Sequence, residues 1–370
     1  MLEKEIIIIG GGLAGLTAAY LLAKAGKNVI VIEKKTYPFH RVCGEYVSNE
    51  VRGFLIRENL FPSSHGPSEI SRFRLSDVRG NEADISLALG GFGISRFVLD
   101  HHFYERCLEM GVVFIQKCQV LDVFFDPQKK LFYLKLDDGR TLLSPMVLGA
   151  FGKRSNLDMK LNRAFTKQRS PYVGVKYHVK MSHDDDVVAL HNFQGGYFGI
   201  NKIENGSFNL CYLAGREQLK SSGSIEAMEE RYLFSNPRIK EIYDKATFLW
   251  ERPEVINEIS FSPKMPIENH MMMLGDAAGM ITPLCGNGMA IAIHTGKIAA
   301  ESVINHREMI KVHREYQKTW SGLFKTRLSV GRKVQGLFGA SIWSNLSVNL
   351  IRHFPNVAEK LIRQTHGREI

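Results

Sequence analysis

Residues 6–35 read IIIIGGGLAGLTAAYLLAKAGKNVIVIEKK, and this stretch leaves the chain few folds to choose from. Four consecutive isoleucines are apolar on both faces, as a strand inside a parallel sheet must be. A glycine turn follows, then an Ala/Leu-rich helix that stops at Gly26, then a second strand that ends at Glu33. The unit is βαβ. Its turn, Gly10-Gly11-Gly12-Leu13-Ala14-Gly15, satisfies G-x-G-x-x-G between strand and helix. Gly10 serves the tight turn, Gly12 lets backbone approach a pyrophosphate, and Gly15 lets the helix lie close on the strand. The first helical amides are unpaired and partly positive, which favours an anion by about 0.3–1 kcal/mol near a surface. Glu33, eighteen residues past Gly15, stands where an acid accepts from ribose hydroxyls. A dinucleotide is therefore expected here, and the motif by itself leaves FAD and NAD open.

The same residues resemble a signal peptide, because residues 6 to 23 carry no charge and Ala23-Lys24-Ala25 follows. Glu3, Lys4 and Glu5 give the leader no net positive charge, and the run breaks at the glycines, so we read a strand instead.

With 370 residues, 44% of them hydrophobic and 23% charged, the chain is long enough and apolar enough for one large or two modest domains, which excludes disorder. The formal net charge is +10, and the last seventy residues hold twelve Lys/Arg against five Asp/Glu. No basic run alternates with aromatics, so a nucleic-acid groove is not expected. Five widely spaced cysteines, without a C-x-x-C pair, predict neither a disulfide framework nor a zinc site and fit a reducing cytoplasm. Asp184 to Asp186 read as a loop, and no metal site is expected.

Along the chain, residues 71–88 predict a hairpin around Arg79-Gly80-Asn81, and LDHHFYERCLEMG a helix with Asp100 near its start. Four short strands are expected from 112 to 148, as a meander inserted into the α/β scheme. YVGVKYHV alternates strictly, which predicts a half-buried strand with Lys176 and His178 toward solvent. SIEAMEERYLF and PRIKEIYDKA predict helices, residues 256–261 a return strand, and everything past Glu301 is helical in pattern.

A second strand–turn–helix start lies far downstream, where strand residues 271–274 enter Gly275-Asp276 and a helix opens near Asn287. An isolated acid in these apolar surroundings needs donors, from backbone amides or from the hydroxyls of a polyol. Small residues at 275, 277 to 279, 286 and 288 let backbone come close to something flat, with the amides of Gly288 and Met289 toward a partly negative group.

At this point the chain resembles the flavoproteins of the p-hydroxybenzoate-hydroxylase-like fold, and within them the branch of geranylgeranyl reductases, FixC proteins and flavin halogenases. The resemblance spans nearly the whole chain and is carried by GGGLAGL, YPFHRVCGEYVS, SRFVLD and GDAAGMITPLCGNGMAIAIHTGKIAAE. It implies an α/β fold: a Rossmann-like FAD-binding domain of the glutathione-reductase/p-hydroxybenzoate-hydroxylase type, with an inserted β-sheet substrate domain and a C-terminal helical segment. The boundaries expected are 1–60, 91–160 and 265–325 for the FAD-binding domain, 61–90 and 161–264 for the substrate domain, and 326–370 for the helical segment.

The resemblance also assigns roles. Asp276 matches the acid that holds the ribityl chain of FAD, and the amides of Gly288 and Met289 match those against the pyrimidine end of the ring. Arg96 falls near the FAD backbone and Cys43-Gly44 near the ring. Gly10, Gly12, Leu13, Ala14, Gly15, Glu33, Lys34, Arg41, Val120, Gly275, Pro283, Gly286 and Asn287 complete the expected cofactor contacts. Tyr197, the one residue kept from the Tyr-x-Trp-x-Phe-Pro signature of isoprenoid reductases, and Cys43 are the candidate catalytic residues; a strand tyrosine is also explained by packing alone.

Two departures narrow the reading. Phe151 stands where many relatives have the acid of an Ala-Asp-Gly motif, so no defined nicotinamide site is expected and the electron donor, NAD(P)H or a carrier, stays unassigned. Gly199, Asn201 and Lys202 replace the rest of the isoprenoid signature. The function implied is an FAD-dependent oxidoreductase acting on an apolar substrate, whether lipid, isoprenoid or polyene. The alternatives are a monooxygenase or halogenase working through a C4a-oxygen adduct, and a flavin-free prenyl-binding protein of the same fold. Residues 334–351 are uncharged with basic flanks and too polar to span a bilayer, so a cytoplasmic protein with peripheral membrane contact is the expectation, against simple packing on the domain.

Overall fold

The computed structural model describes residues 6–257, 259–281, 286–335, 341–354, 356–359, 367 and 369–370. Six strands form one sheet in the order Ile267–Glu268, Met271–Met273, Met146–Gly149, Ile6–Ile9, Val29–Glu33, Val113–Gln116, parallel throughout except for the first pair. Ile6–Ile9 and Val29–Glu33 are buried along their whole length, which is why their sequences show no polar alternation. The helix Leu13–Lys24 buries nine of its twelve residues, against helices Arg96–Glu109 and Gly288–Asn305. Two glycines permit this packing. A side chain at Gly15 would run into the Gly10 carbonyl and Ala150, and one at Gly296 into the Ala14 carbonyl and Thr17.

Nine strands make the second sheet, in the order Thr247–Phe248, Tyr172–Lys180, Phe208–Gly215, Gly196–Lys202, Val187–Phe193, Ser68–Ser76, Glu82–Gly93, Tyr46–Ser48, with Glu254–Ile256 also pairing Tyr172–Lys180. Only Val187–Phe193 beside Ser68–Ser76 is parallel. The face carrying Val173, Val175, Tyr177 and Val179 packs against Met228, Leu233, Ile239 and Ile242 of the predicted helical region. The opposite face turns inward to the six-stranded unit. Its polar residues are therefore not in solvent: Lys176 is 0% exposed and His178 6%, a correction to the half-buried reading. Alternation reports two different faces, and the sequence does not say what covers the second.

Other expectations shift for equally local reasons. Five strands, not four, fall between 112 and 148. The outer two, Val113–Gln116 and Met146–Gly149, belong to the parallel sheet, and only Val120–Asp126, Leu131–Leu136 and Thr141–Ser144 form the meander. The helix expected from Leu99 starts three residues earlier at Arg96, because the Ser95 hydroxyl caps it by accepting from the Val98 amide. The return strand ends at Ile256. Two long helices, Met309–Gln335 and Ser341–His353, close the chain, the second lying across Ser68–Ser76 and Glu82–Gly93.

Several histidines are interior. Burial pushes His102 and His294 down to about 4 and His191 to about 3, from an ordinary 6.5. At these histidines the unfolded chain binds more protons than the folded one between pH 6.5 and about 3, so stability falls as the pH is lowered across that window and the loss levels off below it. Denaturant midpoints measured from pH 7 to pH 4 are expected to fall steadily, and His191→Asn is expected to flatten the slope.

Candidate functional site

The carboxyl ends of the parallel strands face the inner side of the nine-stranded sheet, and a cavity of about 1200 Å³ occupies the space between them. One half is rimmed by glycines and charged side chains, the other by aliphatic ones.

The first half gathers segments far apart in sequence. Gly10, Gly12, Leu13, Ala14, Glu33 and Lys34 reach it from the βαβ unit, and Arg41, Cys43, Gly44, Arg96 and Val120 from the loops and helix that follow. Gly275, Asp276, Gly286, Gly288 and Met289 line it from the opposite side. Gly15 and Asn287 stand behind this surface. Gly15 packs helix on strand, and Asn287 is buried at the cap position of Gly288–Asn305. Pro283 lies outside the described residues.

The glycines fall into two kinds. Gly10 has φ +103°, and a side chain there would overlap the Ala150 carbonyl, so the turn itself demands it. At Gly12 an added Cβ would meet nothing nearer than Arg96 at 3.8 Å, at Gly288 only Ile281 at 4.0 Å, and at Gly44 nothing within 4 Å. Packing gives no reason for these three to be small. All three open on the cavity.

An alternating chain of charges crosses this half. The Glu33 carboxylate accepts from the Gly11 amide at 2.9 Å and from Arg41 at 3.2 Å. Arg41 also reaches Asp100 at 3.1 Å, and Asp100 takes both ends of the Arg96 guanidinium at 2.6 and 2.7 Å. Glu33 and Asp100 are both buried, so each acid is answered by a cation that itself fronts the cavity. Asp100, read from sequence only as a helix start, is a joint of this network. The spacing of Arg96 and Asp100, four apart on one helix, was the available signal.

Sequence reasoning missed Glu45 entirely. This residue is 0% exposed, charged, and held at φ +54°, a region that costs a side-chain-bearing residue about 1–3 kcal/mol. Its carboxylate pairs with Lys176, takes His178 Nε2 at 2.6 Å and accepts from the Arg96 amide at 2.7 Å. Burial works against the charged form, but Lys176 and His178 outweigh it and hold Glu45 near 2. Lys176 also donates to the Arg41 carbonyl at 3.2 Å, and Asn209 donates to the Cys43 carbonyl at the same distance. His40, on the same loop, stacks on Phe97 and against Trp250, and burial together with Lys176 lowers it to about 4.

On the opposite side Asp276 is partly exposed, in the turn Gly275–Ala277, and no described residue donates to its carboxylate. Its backbone is fixed from behind. Lys264 donates to the Asp276 and Lys153 carbonyls, both at 2.7 Å. Burial, opposed by Asp158 and Asp276, lowers Lys264 to about 8. Arg163, paired with buried Asp158 at 2.8 Å, donates to the Ala277 carbonyl at 2.9 Å.

The second half is walled by Phe73, Leu75, Val188, Leu190 and Leu213 of the large sheet, and closed by Leu350 and Ile351 of the helix Ser341–His353. Tyr197, 4% exposed, stands on this wall with its ring in the aliphatic cluster. Phe151 and Cys211 also front the cavity, and burial pushes the Cys211 thiol up to about 12, so it stays protonated at neutral pH.

An anion-tolerant helix start at Gly12, an acid to which no described residue donates, and the open space beside Gly44 and Gly288 fit the pyrophosphate, ribityl and ring portions of FAD in turn. Comparison with known proteins points to the same cofactor. Residues 5–40 match the family model described as FAD binding domain. The chain is 24% identical to a menaquinone reductase of Mycobacterium tuberculosis over 353 residues, covering 90% of this chain and 82% of that protein. It is also 24% identical to digeranylgeranylglycerophospholipid reductase 2 of Methanopyrus kandleri over 389 residues, covering 100% and 94%. Among solved structures, a geranylgeranyl bacteriochlorophyll reductase-like protein of Thermoplasma acidophilum superposes with TM-score 0.79 at 19% identity, covering 98% of this chain and 96% of that one. A flavin-dependent brominase gives 0.78 at 16% identity, covering 98% and 93%. The chain is thus an FAD-dependent oxidoreductase that is similar in sequence to the quinone and isoprenoid-lipid reductases and shares its fold with the geranylgeranyl reductase-like protein and the flavin-dependent brominase.

Proposed function

We propose that this protein is a reductase of an apolar substrate, a quinone or an isoprenoid lipid, and that the shared cavity carries the reading: the glycine-rimmed half and a chamber of Phe73, Leu75, Leu190 and Leu213 line the same cavity. Relatives named for menaquinone and for a digeranylgeranyl lipid support that substrate class. When bound, FAD supplies hydride or single-electron transfer. The chain's own residues do the rest. The amides at Gly12 to Ala14 would hold the pyrophosphate, Glu33 and Arg41 the adenosine side, Asp276 the ribityl hydroxyls, and Gly288 and Met289 the pyrimidine edge of the ring. Arg96 and Lys34 balance phosphate charge. The aliphatic wall excludes water and aligns the substrate chain, while Tyr197 or Cys43 delivers the proton that a reduced carbon or oxygen needs. Phe151 stands at the cavity in the place of the acid that many relatives tie to NAD(P)H.

The helix Ser341–His353 and the turn after it have two characters. Ile351 and Val348 face inward, while Trp343 is 49% exposed, Leu346 52%, Phe354 60% and Val357 50%. No described helix is long and apolar enough to cross a membrane. We place this outer face against a bilayer surface, assisted by the basic excess of the last seventy residues, as the route by which an apolar chain enters.

Three measurements test the proposal. Enzyme bleached near 450 nm by dithionite without oxygen is expected to recover its colour on adding a quinone or polyprenyl lipid, and Tyr197→Phe to slow the recovery; incorporation of labelled oxygen into product would instead establish the monooxygenase reading. Asp276→Ala is expected to weaken FAD binding roughly 10–100-fold, as loss of hydrogen bonds to a charged acceptor does, with the fold intact by circular dichroism. Co-sedimentation with anionic vesicles at low salt is expected for the parent and is expected to fall in Trp343→Ser/Leu346→Ser.

A further inference from the structure

The inner face of the nine-stranded sheet changes character along its length. Toward the helix Ser341–His353 it presents Leu190, Tyr197 and Leu213. At the other end Lys176, His178, Asn201 and Asn209 occupy adjoining positions: Lys176 and His178 on one strand face Cys211 and Asn209 on the next, and Asn209 faces Asn201 on the third. A buried patch of four polar side chains on a sheet face is costly unless each is engaged. All four reach the same short loop. Lys176 holds the Arg41 carbonyl and the Glu45 carboxylate, His178 holds Glu45, Asn201 holds the Glu45 carbonyl at 3.4 Å, and Asn209 holds the Cys43 carbonyl at 3.2 Å.

Loop 41–45 is the segment that carries Cys43 and Gly44 to the cavity, where Gly44 has open space in front of it. Glu45 also accepts from the Arg96 amide, at the start of the helix whose Arg96 and Asp100 side chains join the charge network. It is thus bonded at once to the substrate sheet through its side chain and to the start of helix Arg96–Glu109 on the cofactor side. Its left-handed backbone turns the chain directly after Gly44. Local propensity does not favour that geometry, and the contacts from the sheet impose it.

The geometry points to Glu45 as a positioning residue for the flavin ring: gripped by Lys176 and His178, it sets how closely Cys43-Gly44 lies on the ring and so ties the shape of the substrate chamber to the cofactor. This rests on the proposed function and on the fit of the ring to the cavity beside Gly44 and Gly288. Neither Lys176 nor His178 needs to touch substrate or cofactor for the device to operate.

Glu45→Gln keeps the shape and the bond from the Arg96 amide but removes the charge that Lys176 answers, and Lys176→Met removes the other side of the pair. Both holoproteins are expected to retain FAD, with a visible absorption band displaced by several nanometres, a shifted reduction potential of the bound flavin, and kcat lower by about tenfold with KM within about threefold. A parent-like spectrum, potential and kcat in both variants overturns the proposal. If neither variant folds, His178→Asn removes a single grip and leaves the ion pair; a smaller displacement in the same direction supports the proposal, and unchanged values overturn it. Gly44→Val tests the underlying placement separately, since a side chain there enters the cavity. Loss of FAD from that variant upholds the placement, and full FAD affinity overturns both the placement and the role of Glu45.

Discussion

Parallel pairing around Ile6–Ile9 is the constraint from which the site follows. Its neighbours Val29–Glu33 and Met146–Gly149 run the same way, and Met271–Met273 continues the direction beyond them. Parallel strands send all their carboxyl ends to one edge, so the turn at Gly10, the acid at Glu33, the loop at Phe151 and the turn at Asp276 leave the sheet side by side. None of these segments has to find the others. The sheet has to close, and for that Gly15 and Gly296 must stay bare enough for helix Leu13–Lys24 to sit between its partners.

A second requirement is set by charge. Glu33, Glu45, Asp100 and Asp158 are all interior acids, and each is matched by at least one Arg or Lys within salt-bridge distance. Such pairs are weak sources of net stability and strong sources of specificity, because any displacement strands a charge in a dry environment. Here they fall on the segments that border the cavity. Arg163 with Asp158 steadies the backbone behind Asp276, and Arg96 with Asp100 steadies the opposite rim. The cavity is therefore edged by groups that cannot drift far.

Much of this was legible from residue order. A run of isoleucines, a glycine hexapeptide and an acid at the end of the next strand determine a βαβ unit through local rules alone, and the strand before Gly275 and the helix after Asn287 were legible as a second strand and helix start, whose described residues line the cavity. What stayed hidden depends on partners distant in sequence. Lys176 and His178 look like ordinary solvent-facing residues of an alternating strand until loop 41–45 is laid over them. Glu45 carries no local sign, since its charge partners Lys176 and His178 lie more than a hundred residues away. Val113–Gln116 and Met146–Gly149 resemble the meander strands beside them in length and composition, and only their pairing with Val29–Glu33 and Ile6–Ile9 sets them apart. Periodicity reports which side chains share a face, and tertiary contact decides what that face meets.

The one parallel junction in the large sheet, Val187–Phe193 against Ser68–Ser76, has a consequence for synthesis on the ribosome. The hairpin of Ser68–Ser76 and Glu82–Gly93 emerges early with one edge unsatisfied, and the strand that covers it is translated much later. Ile6–Ile9 waits in the same way for Met146–Gly149. Both sheets thus hold unpaired edges during elongation until the later strands arrive, and unpaired strand edges favour pairing with other chains.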